Sequence, residues 1–374
     1  MSAARRAVVI GGGVAGCTVA LELARAEVQA TLIEPRAAIG GATGAAAGIL
    51  APQFETDPGD PLFPLLLASR RAYPDFVHAV ERASGRDLDF REDGLVIANL
   101  GAAETEAAAR AAERYRAHGL TGVVRDAEGG EWLVPGLGPV DSVLWLPDEA
   151  AIDAQALAPA LERALATAGV EVRRDRAIGL ETRAGAVRGV ALETGGILAC
   201  DLVFLAAGAW SDDVLDPHRK ARVVRPVRGQ MLRFRGLVPA LPRQVADHAG
   251  CYALPRADGS VVVGSTMEEA GYEERTTGGG LEAIRSRAFG WLPGLRDAIL
   301  VETWAGLRPF TPDGLPVLGA DPEVDGLHHA TGYGRNGILI APQAAALAVA
   351  AALRARPGAA LLESLSPFDP ARLA

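Results

Sequence analysis

Residues 7–16 read AVVIGGGVAG, an apolar run that leads directly into a glycine-rich turn. The apolar run predicts a buried parallel strand, and the residues from the turn to about residue 26 predict a helix. Residues 28–33 (VQATLI) predict a second strand, which ends at Glu34. A strand, a glycine-rich turn, a helix and a strand that ends in an acid together predict a dinucleotide-binding βαβ unit.

The glycines of this turn have separate predicted roles. Gly11 permits a tight turn, Gly13 lets the backbone approach a pyrophosphate, and Gly16 lets the helix pack close to the sheet. The start of the helix offers free N–H groups and a positive dipole end to the phosphates. Glu34 can accept hydrogen bonds from ribose hydroxyls, and an acid at this position argues against NADP. The alternative is a glycine-rich turn that binds no ligand.

A run of small residues follows the second strand, since residues 40–51 read GGATGAAAGILA. Small side chains permit close approach of the backbone to a large flat cofactor, whereas an NAD-binding domain would usually continue into its next βα unit. Thr43 is a candidate for a hydroxyl contact to phosphate. The alternative is a flexible linker, but alanine and glycine with few polar residues make a poor solvated linker. The run therefore favours FAD.

The cofactor-binding fold is expected to resume later in the chain. Residues 151–168 predict a helix, residues 170–172 a strand, and residues 201–207 (DLVFLAA) a buried strand before a tight turn. We therefore expect a discontinuous FAD-binding domain and a separate substrate-binding domain. The first would comprise residues 1–83, 150–216 and 312–374, and the second residues 84–149 and 217–311.

The intervening sequence predicts mainly antiparallel strands. Residues 102–117 are an exception, because they predict a helix whose many Glu and Arg residues indicate a solvated face. Strand-like patterns occur at 230–234, 251–254 and 260–264, and Ala-Asp-Gly at 257–259 is a hairpin turn signal. An antiparallel sheet beside a parallel cofactor-binding sheet leaves a cleft, where small-molecule sites tend to lie.

Arg308 is the main candidate for substrate binding, because an arginine can hold a carboxylate through two hydrogen bonds. Its alternative role is an interdomain salt bridge. A Tyr252 hydroxyl beside it would complete a carboxylate clamp, unless Tyr252 is a core residue. Arg335 either closes over the substrate or pairs on the surface. Residues from Gly337 to about Leu353 predict a helix whose N-terminal dipole would stabilise negative charge on a flavin ring.

Other catalytic patterns are absent from the sequence. His328 and His329 are adjacent, so on a strand they point apart, and we expect structural roles. No Ser-His-Asp order and no metal cluster stand out in the sequence. The absence of these catalytic patterns fits hydride transfer, in which the cofactor performs the chemistry and the protein orients the substrate.

Composition narrows the class of protein. The 374 residues suggest two or three domains, and a net charge of −9 without a basic stripe argues against nucleic-acid binding. Cys17, Cys200 and Cys251 are widely separated, which favours free thiols in a reducing compartment. Residues 338–353 are apolar but too short to span a bilayer. We expect a cytoplasmic protein, although VAGC at 14–17 also resembles a lipoprotein signal with a poor apolar region.

Several motifs resemble those of the D-amino-acid-oxidase-like amine oxidases, and within them the glycine oxidases of thiamine biosynthesis. They are GGGVAG at 11–16, ATGAAAGILAP at 42–52, VRGQ at 227–230, CYALPRADGSVVVGSTM at 251–267, WAGLRPFTPDGLPVLG at 304–319 and GRNGILIAP at 334–342. The resemblance covers nearly the whole chain. It implies an α/β fold with a Rossmann-like FAD-binding domain and an antiparallel-sheet substrate domain. It also implies non-covalently bound FAD, because residues 304–319 lack the cysteine of covalently flavinylated relatives.

The resemblance also implies roles for individual residues. Arg308 would bind the substrate carboxylate, Tyr252 would assist, and Arg335 would lie near the substrate entrance. The pocket walls would be Ile49, Ala51, Phe54 and Met267. The residues implied to contact FAD are Gly11, Gly13, Val14, Ala15, Gly16, Glu34, Thr43, Gly44, Ala47, Gly48, Ile178, Gly208, Trp210, Gly334, Asn336, Gly337, Ile338 and Leu339.

The sequence departs from the glycine oxidase pattern near the expected pocket. Gly332-Tyr333-Gly334 precedes Arg335 where a Gly-His-aromatic sequence is usual, Gly250 stands where a histidine occurs, and Phe54 replaces a small residue. These changes bear on the size of the pocket and on a strict preference for glycine.

The resemblance implies oxidative deamination of glycine or another small amino acid. A hydride would pass from Cα to the flavin, oxygen would be reduced to hydrogen peroxide, and the imine would be hydrolysed or used for thiazole synthesis. Expected partners are therefore the amino acid and oxygen, with thiazole synthase as a protein partner, and a homo-oligomer is expected. The alternatives are an amino-acid or sarcosine dehydrogenase with another electron acceptor, a flavin-binding scaffold without turnover, and an NAD dehydrogenase.

Overall fold

The computed structural model describes residues 6–36, 40–215, 223–353 and 365–373. Its α-helices are α1 (Val14–Arg25), α2 (Ala42–Ala45), α3 (Pro52–Glu55), α4 (Phe63–Ser84), α5 (Ala102–Ala117), α6 (Ala127–Leu133), α7 (Ala154–Thr167), α8 (Ser211–Leu215), α9 (Gly278–Trp291) and α10 (Gly337–Ala352). Short 3₁₀ turns cover Gly208–Trp210, Pro293–Arg296, Ser366–Phe368 and Pro370–Leu373.

The strands of the first half of the chain are β1 (Arg6–Ile10), β2 (Gln29–Ile33), β3 (Ile49–Leu50), β4 (Leu95–Asn99), β5 (Val123–Asp126), β6 (Ser142–Leu146), β7 (Ala150–Ala151), β8 (Glu171–Arg173) and β9 (Ala177–Arg183). Those of the second half are β10 (Ala186–Leu192), β11 (Ile197–Ala199), β12 (Leu202–Leu205), β13 (Arg225–Arg235), β14 (Gln244–Asp247), β15 (Tyr252–Pro255), β16 (Val261–Gly264), β17 (Ile299–Phe310), β18 (Val317–Ala320) and β19 (Leu327–Thr331).

A six-stranded sheet forms one half of the fold, in the order β18-β19-β12-β1-β2-β8. All of its neighbouring pairs are parallel except β18 with β19. Both faces of β1 are buried, because Ala7 and Val9 pack against helices and Val8 and Ile10 pack against the other side. Burial on both faces explains why this strand is continuously apolar. The predicted βαβ unit is confirmed, with the helix at Val14–Arg25.

Gly16 sets the distance between α1 and this sheet. A β-carbon at position 16 would lie 1.8 Å from the carbonyl oxygen of Gly11, which no side chain can occupy. The helix therefore packs directly on the turn that precedes it, and α10 packs beside it. The helices α1, α4, α7 and α10 share the largest apolar core with this face of the sheet.

An eight-stranded sheet forms the other half, in the order β17-β13-β16-β15-β14-β4-β6-β5. It is antiparallel apart from the β14–β4 pair. The hairpin at 257–259 joins β15 to β16, and Gly259 has a positive φ of 76°. The predicted helix over 102–117 is confirmed as α5, which buries only Ala108, Ala112 and Tyr115. The predicted fold class, a parallel cofactor sheet with an antiparallel sheet beside it, is confirmed.

Two elements were not expected from the sequence. One is the antiparallel sheet β11-β10-β9, which covers the second face of the parallel sheet. The other is the long helix α4, which contains Pro74. The division into two domains stays a prediction, and its boundary at 216–217 lies outside the described residues. Among the helices of the described ranges, none has the length and apolar character needed to cross a membrane.

Candidate active site

A long cleft runs from the end of β1 to the face of the eight-stranded sheet. Ile10 and Glu34, at the carboxyl ends of β1 and β2, line one part of it, and Tyr252 and Arg308 line another. Ligands of open parallel sheets bind outside the carboxyl ends of the strands. The cleft therefore joins a nucleotide-binding position to a set of polar side chains on the second sheet.

The nucleotide end is built from α1 and Glu34. The N-cap residue Gly13 supplies no side-chain cap, and the first turn of α1 contains no acid, so the dipole and the N–H groups that follow Val14 are available to an anion. Glu34 is buried, and its Oε2 accepts a hydrogen bond of 2.7 Å from the N–H of Gly12. Its Oε1 accepts one of 2.9 Å from the N–H of Arg36. These bonds fix the carboxylate at the cleft, where ribose hydroxyls would bind.

Thr43 lies at the start of α1, which supports the predicted phosphate contact. Its Oγ1 accepts a hydrogen bond of 2.8 Å from the N–H of Val14, and its O–H is the group that would donate to a phosphate. The small-residue run around it lines the cleft from Gly40 to Ile49 almost without interruption. Trp304 holds this run against β17 by donating a hydrogen bond of 3.0 Å to the carbonyl of Ala45.

The start of α10 faces the same cleft. Gly337 and Ile338 line it, and the N-cap Asn336 makes no side-chain cap bond. The helix therefore presents N–H groups and a positive dipole end to the cleft. Uncapped helix starts, a fixed ribose acceptor and a small-residue wall are the features that FAD requires, so the residues present fit this cofactor.

Arg308 lies inside β17, at the substrate end of the cleft. Its Nη1 donates 3.0 Å to the carbonyl of Thr266, and its Nη2 donates 2.7 Å to Oγ of Ser265. Among the residues that the structure describes, no acidic side chain forms an ion pair with Arg308. The interdomain salt bridge considered as an alternative is therefore not formed by these residues, and the guanidinium remains a candidate carboxylate ligand.

Tyr252 lies beside Arg308 and shares Ser265 with it. Its hydroxyl donates 3.4 Å to Sδ of Met231. Burial raises the pKa of Tyr252, and the nearby Arg308 and a hydrogen bond to Ser265 oppose this shift. The hydroxyl is therefore protonated at neutral pH and is available as a donor to a carboxylate. The two members of the predicted clamp are thus brought together.

Arg335 pairs with a residue that the sequence did not single out. Its Nε lies 2.5 Å from Oε2 of Glu55, and its Nη2 donates 2.7 Å to the backbone carbonyl of Glu55. Both residues line the cleft. Burial raises the pKa of Glu55, while Arg335 and then Arg308 lower it. Of the two roles considered for Arg335, the structure shows a pair, and this pair lies at the cleft wall.

Three of the four expected pocket walls line the cleft. Ile49, Phe54 and Met267 do so, and Gly250 lies with them. Ala51, the N-cap residue of α3, is fully buried and is not part of the lining.

Five residues expected at FAD do not line the cleft. Ile178 is 51% exposed, whereas the preceding Ala177 is buried and lines the cleft. Successive residues of a strand point to opposite faces, so Ala177 and not Ile178 faces the cleft, and the FAD contact of Ile178 stays a prediction. Leu339 belongs to the core, one residue beyond Ile338, which lines the cleft. The others are Gly16, Gly44 and Asn336, of which Gly16 has the packing role described above.

The remaining expected residues line the cleft. They are Gly11, Gly13, Val14, Ala15, Glu34, Thr43, Ala47, Gly48, Gly208, Trp210, Gly334, Gly337 and Ile338. Sequence reasoning missed Ser265, Gly229 and Glu55, which reach the site from separate parts of the chain. Ser265 and Gly229 carried a signal, since they lie in the quoted motifs at 251–267 and 227–230, whereas Glu55 lies outside the quoted motifs.

The cleft and its polar ends define an oxidoreductase that uses a flavin. The chain belongs to the DAO family, described as FAD dependent oxidoreductase, which matches residues 6–351. FAD is therefore its cofactor.

Individual relatives narrow the comparison. The chain is 32% identical over 344 residues to a glycine oxidase of Geobacillus kaustophilus, covering 89% of each chain. The crystal structure of glycine oxidase from Geobacillus kaustophilus superposes with a TM-score of 0.90 at 29% identity, covering 98% of both chains. The crystal structure of iminodiacetate oxidase from Chelativorans sp. BNC1 has a TM-score of 0.86 at 26% identity, covering 98% of this chain and 99% of the other. The chain is also 34% identical to the bifunctional protein ThiO/ThiG of Trichormus variabilis, covering 92% of this chain and 52% of that protein.

Proposed function

We propose that the protein oxidises glycine and other small amino acids at Cα, with oxygen as the final electron acceptor. The observation that carries this proposal is the Arg308 guanidinium, which lines the cleft beside the Tyr252 hydroxyl. A guanidinium and a hydroxyl together bind a carboxylate strongly and in one orientation. The names of the glycine oxidase relatives support the same substrate class.

The protein's residues bind and orient the substrate. Arg308 holds the carboxylate through charge-assisted hydrogen bonds, and Tyr252 donates a further one. Ile49, Phe54 and Met267 bound the space for the side chain. When bound, FAD supplies the acceptor for the hydride that leaves Cα. The start of α10 offers its N–H groups to negative charge in the cleft.

The overall reaction balances with oxygen and water. Glycine, oxygen and water give glyoxylate, ammonia and hydrogen peroxide. The substrate loses a hydride from Cα and a proton from nitrogen, so it is oxidised by two electrons to an imine. Oxygen takes up the two electrons and two protons, and water adds to the imine carbon and displaces ammonia.

A substrate panel tests the proposal. The purified yellow protein is mixed with glycine, sarcosine, small D-amino acids and their L-enantiomers, and peroxide release is measured. We expect peroxide with glycine or another small amino acid. Anaerobic bleaching of the flavin without aerobic peroxide would indicate a dehydrogenase with another acceptor. Failure of every amino acid to bleach the flavin would overturn the proposal.

We further propose that the imine supplies the thiazole of thiamine, with thiazole synthase as partner. Relatives named ThiO/ThiG, in which the matching region occupies about half of the protein, support this link.

We also propose non-covalent FAD, since no cysteine is among the described residues that line the cleft. The cytoplasmic location and the homo-oligomer stay proposals. Light scattering of the purified protein tests the oligomer.

A further inference from the structure

The wall of the cleft contains an ion pair next to the substrate clamp. Nε of Arg335 lies 2.5 Å from Oε2 of Glu55, and Nη2 of Arg335 also donates to the backbone carbonyl of Glu55. The Glu55 side chain is 7% exposed and the Arg335 side chain 46% exposed. The carboxylate is therefore desolvated on the inner side, and the guanidinium extends from it toward solvent.

The cleft thus contains two guanidinium groups in different states. Arg308 has no acidic partner among the described residues, and it is held by the neutral groups Thr266 and Ser265. Arg335 is neutralised by Glu55. A second carboxylate on a ligand would have to displace Glu55 from Arg335, and it would meet the negative charge of Glu55 as it entered.

We propose that Glu55 determines substrate specificity by neutralising Arg335, so that the cleft accepts amino acids with one carboxylate and rejects those with two. The rejected class comprises dicarboxylic amines, in which an N-carboxymethyl or side-chain carboxylate extends away from Arg308. The inference rests on the proposed function, because it assigns the carboxylate of the substrate to Arg308. Rejection by an opposing charge is a common route to specificity.

Removal of the Glu55 charge then has a defined chemical consequence. In a Glu55→Gln variant, Arg335 becomes a free cation that can pair with a second carboxylate. Iminodiacetate would lose a hydride from one CH₂ and a proton from nitrogen. Water would hydrolyse the imine to glyoxylate and glycine, and oxygen would take up two electrons and two protons to give hydrogen peroxide.

Binding of two unreactive ethers tests the idea without turnover. Diglycolate has two carboxylates and methoxyacetate has one, and both have an ether oxygen in place of the nitrogen. Dissociation constants are measured from perturbation of the flavin absorbance of the holoenzyme. We expect Glu55→Gln to tighten diglycolate about tenfold and to leave methoxyacetate within about twofold, a modest gain because Arg335 is half exposed.

Two further variants show which residue is responsible for the tighter binding of diglycolate. Glu55→Gln combined with Arg335→Met should lose the tightened diglycolate binding. Glu273→Gln removes an acid from an exposed pair with Arg275 outside the cleft, and it should change neither ligand. An unchanged diglycolate affinity in a folded Glu55→Gln variant overturns the proposal, and so does a gain that persists without Arg335.

Arg335→Met alone keeps the proposal testable if the Glu55 variant does not fold. Removal of Arg335 leaves the buried carboxylate of Glu55 without its cation beside the cleft, so diglycolate affinity should fall severalfold while methoxyacetate affinity stays within about twofold. An unchanged ratio of the two affinities would show that the Glu55 charge does not act on a second carboxylate, and this would overturn the proposal. Turnover of iminodiacetate is then compared with that of glycine. Ether binding without turnover of any amino acid would refute the proposed function and leave the role of Glu55 standing.

Discussion

Gly229 lies directly against the guanidinium of Arg308, since a β-carbon at position 229 would fall 2.1 Å from Nη1 and 2.3 Å from Nη2. The two residues are on paired antiparallel strands, where Gly229 is opposite Gly306 and Val227 is opposite Arg308. The guanidinium crosses the space that a side chain on β13 would fill. Its position in the cleft therefore depends on glycine at 229.

Gly229→Ala is expected to weaken substrate binding while the protein still folds. The guanidinium is the far end of a flexible side chain, so it can move away from the added methyl group, but it then loses its bonds to Ser265 and Thr266. We expect KM for glycine to rise about tenfold or more, through loss of part of a charge-assisted contact. Steady-state peroxide release measures KM. The control is Gly290→Ala, where a β-carbon meets nothing within 4 Å, and an equal effect there would contradict the prediction.

Arg308→Met should raise KM much more, because it removes the cation and keeps most of the chain length. Loss of a charge-assisted pair worth about 3 kcal/mol corresponds to a rise of about 100-fold. The matched control is Arg275→Met, whose side chain is 82% exposed. An Arg308→Met enzyme with the KM of the parent protein would show that Arg308 does not bind the carboxylate.

The nucleotide end of the cleft could be predicted because its signals are local in sequence. Gly11, Gly16 and Glu34 fall within one βαβ unit, and each glycine has a backbone reason to be glycine. The opposite end depends on long-range packing. Gly229 and Glu55 act on Arg308 and Arg335 from strands and turns that are distant in sequence. A single sequence contains no pattern that brings these pairs together.

Strand register explains one difference between the expected site residues and the lining of the cleft. Ile178 was expected at the cofactor and Ala177 is the residue that lines the cleft. In a strand, a shift of one position exchanges the two faces, so a motif can locate a segment correctly and still assign the wrong side chain. Arg308 differs from Ile178, since the arginine that the sequence singles out does line the cleft, and its role as a carboxylate ligand stays a prediction.

Glu34→Gln is expected to weaken FAD binding without a direct effect on the substrate clamp. The carboxylate is fixed by the N–H groups of Gly12 and Arg36, and its charge strengthens acceptance of ribose hydroxyls. We expect the dissociation constant for FAD to rise by about tenfold to a hundredfold. The fluorescence of free flavin on dilution measures it, and KM for glycine at saturating FAD should stay within about twofold.

A control for this variant is available on the neighbouring strand. Glu171 begins β8 at the edge of the parallel sheet and is exposed, and it accepts a hydrogen bond from Thr31. Glu171→Gln should leave FAD affinity unchanged. If the Glu34→Gln and parent proteins had equal affinities for FAD, Glu34 would not bind the ribose hydroxyls.

Glu149 is expected to make stability depend on pH. It is buried, and its Oε1 accepts a hydrogen bond of 2.8 Å from the N–H of Gln53, at the start of the segment that carries Phe54 and Glu55. Burial raises the pKa of Glu149 from 4.5 to about 8, with Asp148 and Glu55 adding to the rise and the Gln53 bond and Arg70 opposing it. The folded protein therefore keeps a proton on Glu149 at pH values where the unfolded chain has lost it.

The sign of the pH effect follows from proton binding. Between pH 4.5 and about 8 the folded state binds one more proton at Glu149 than the unfolded state, so the free energy of unfolding falls by up to about 1.4 kcal/mol per pH unit as pH rises. Glu149→Gln keeps an acceptor for the Gln53 N–H and removes the titration. We expect the variant to match the parent protein at pH 5 and to exceed its melting temperature by several degrees at pH 8.5. Parallel melting curves over this range, or a variant that is less stable at the higher pH, would exclude a buried protonated Glu149.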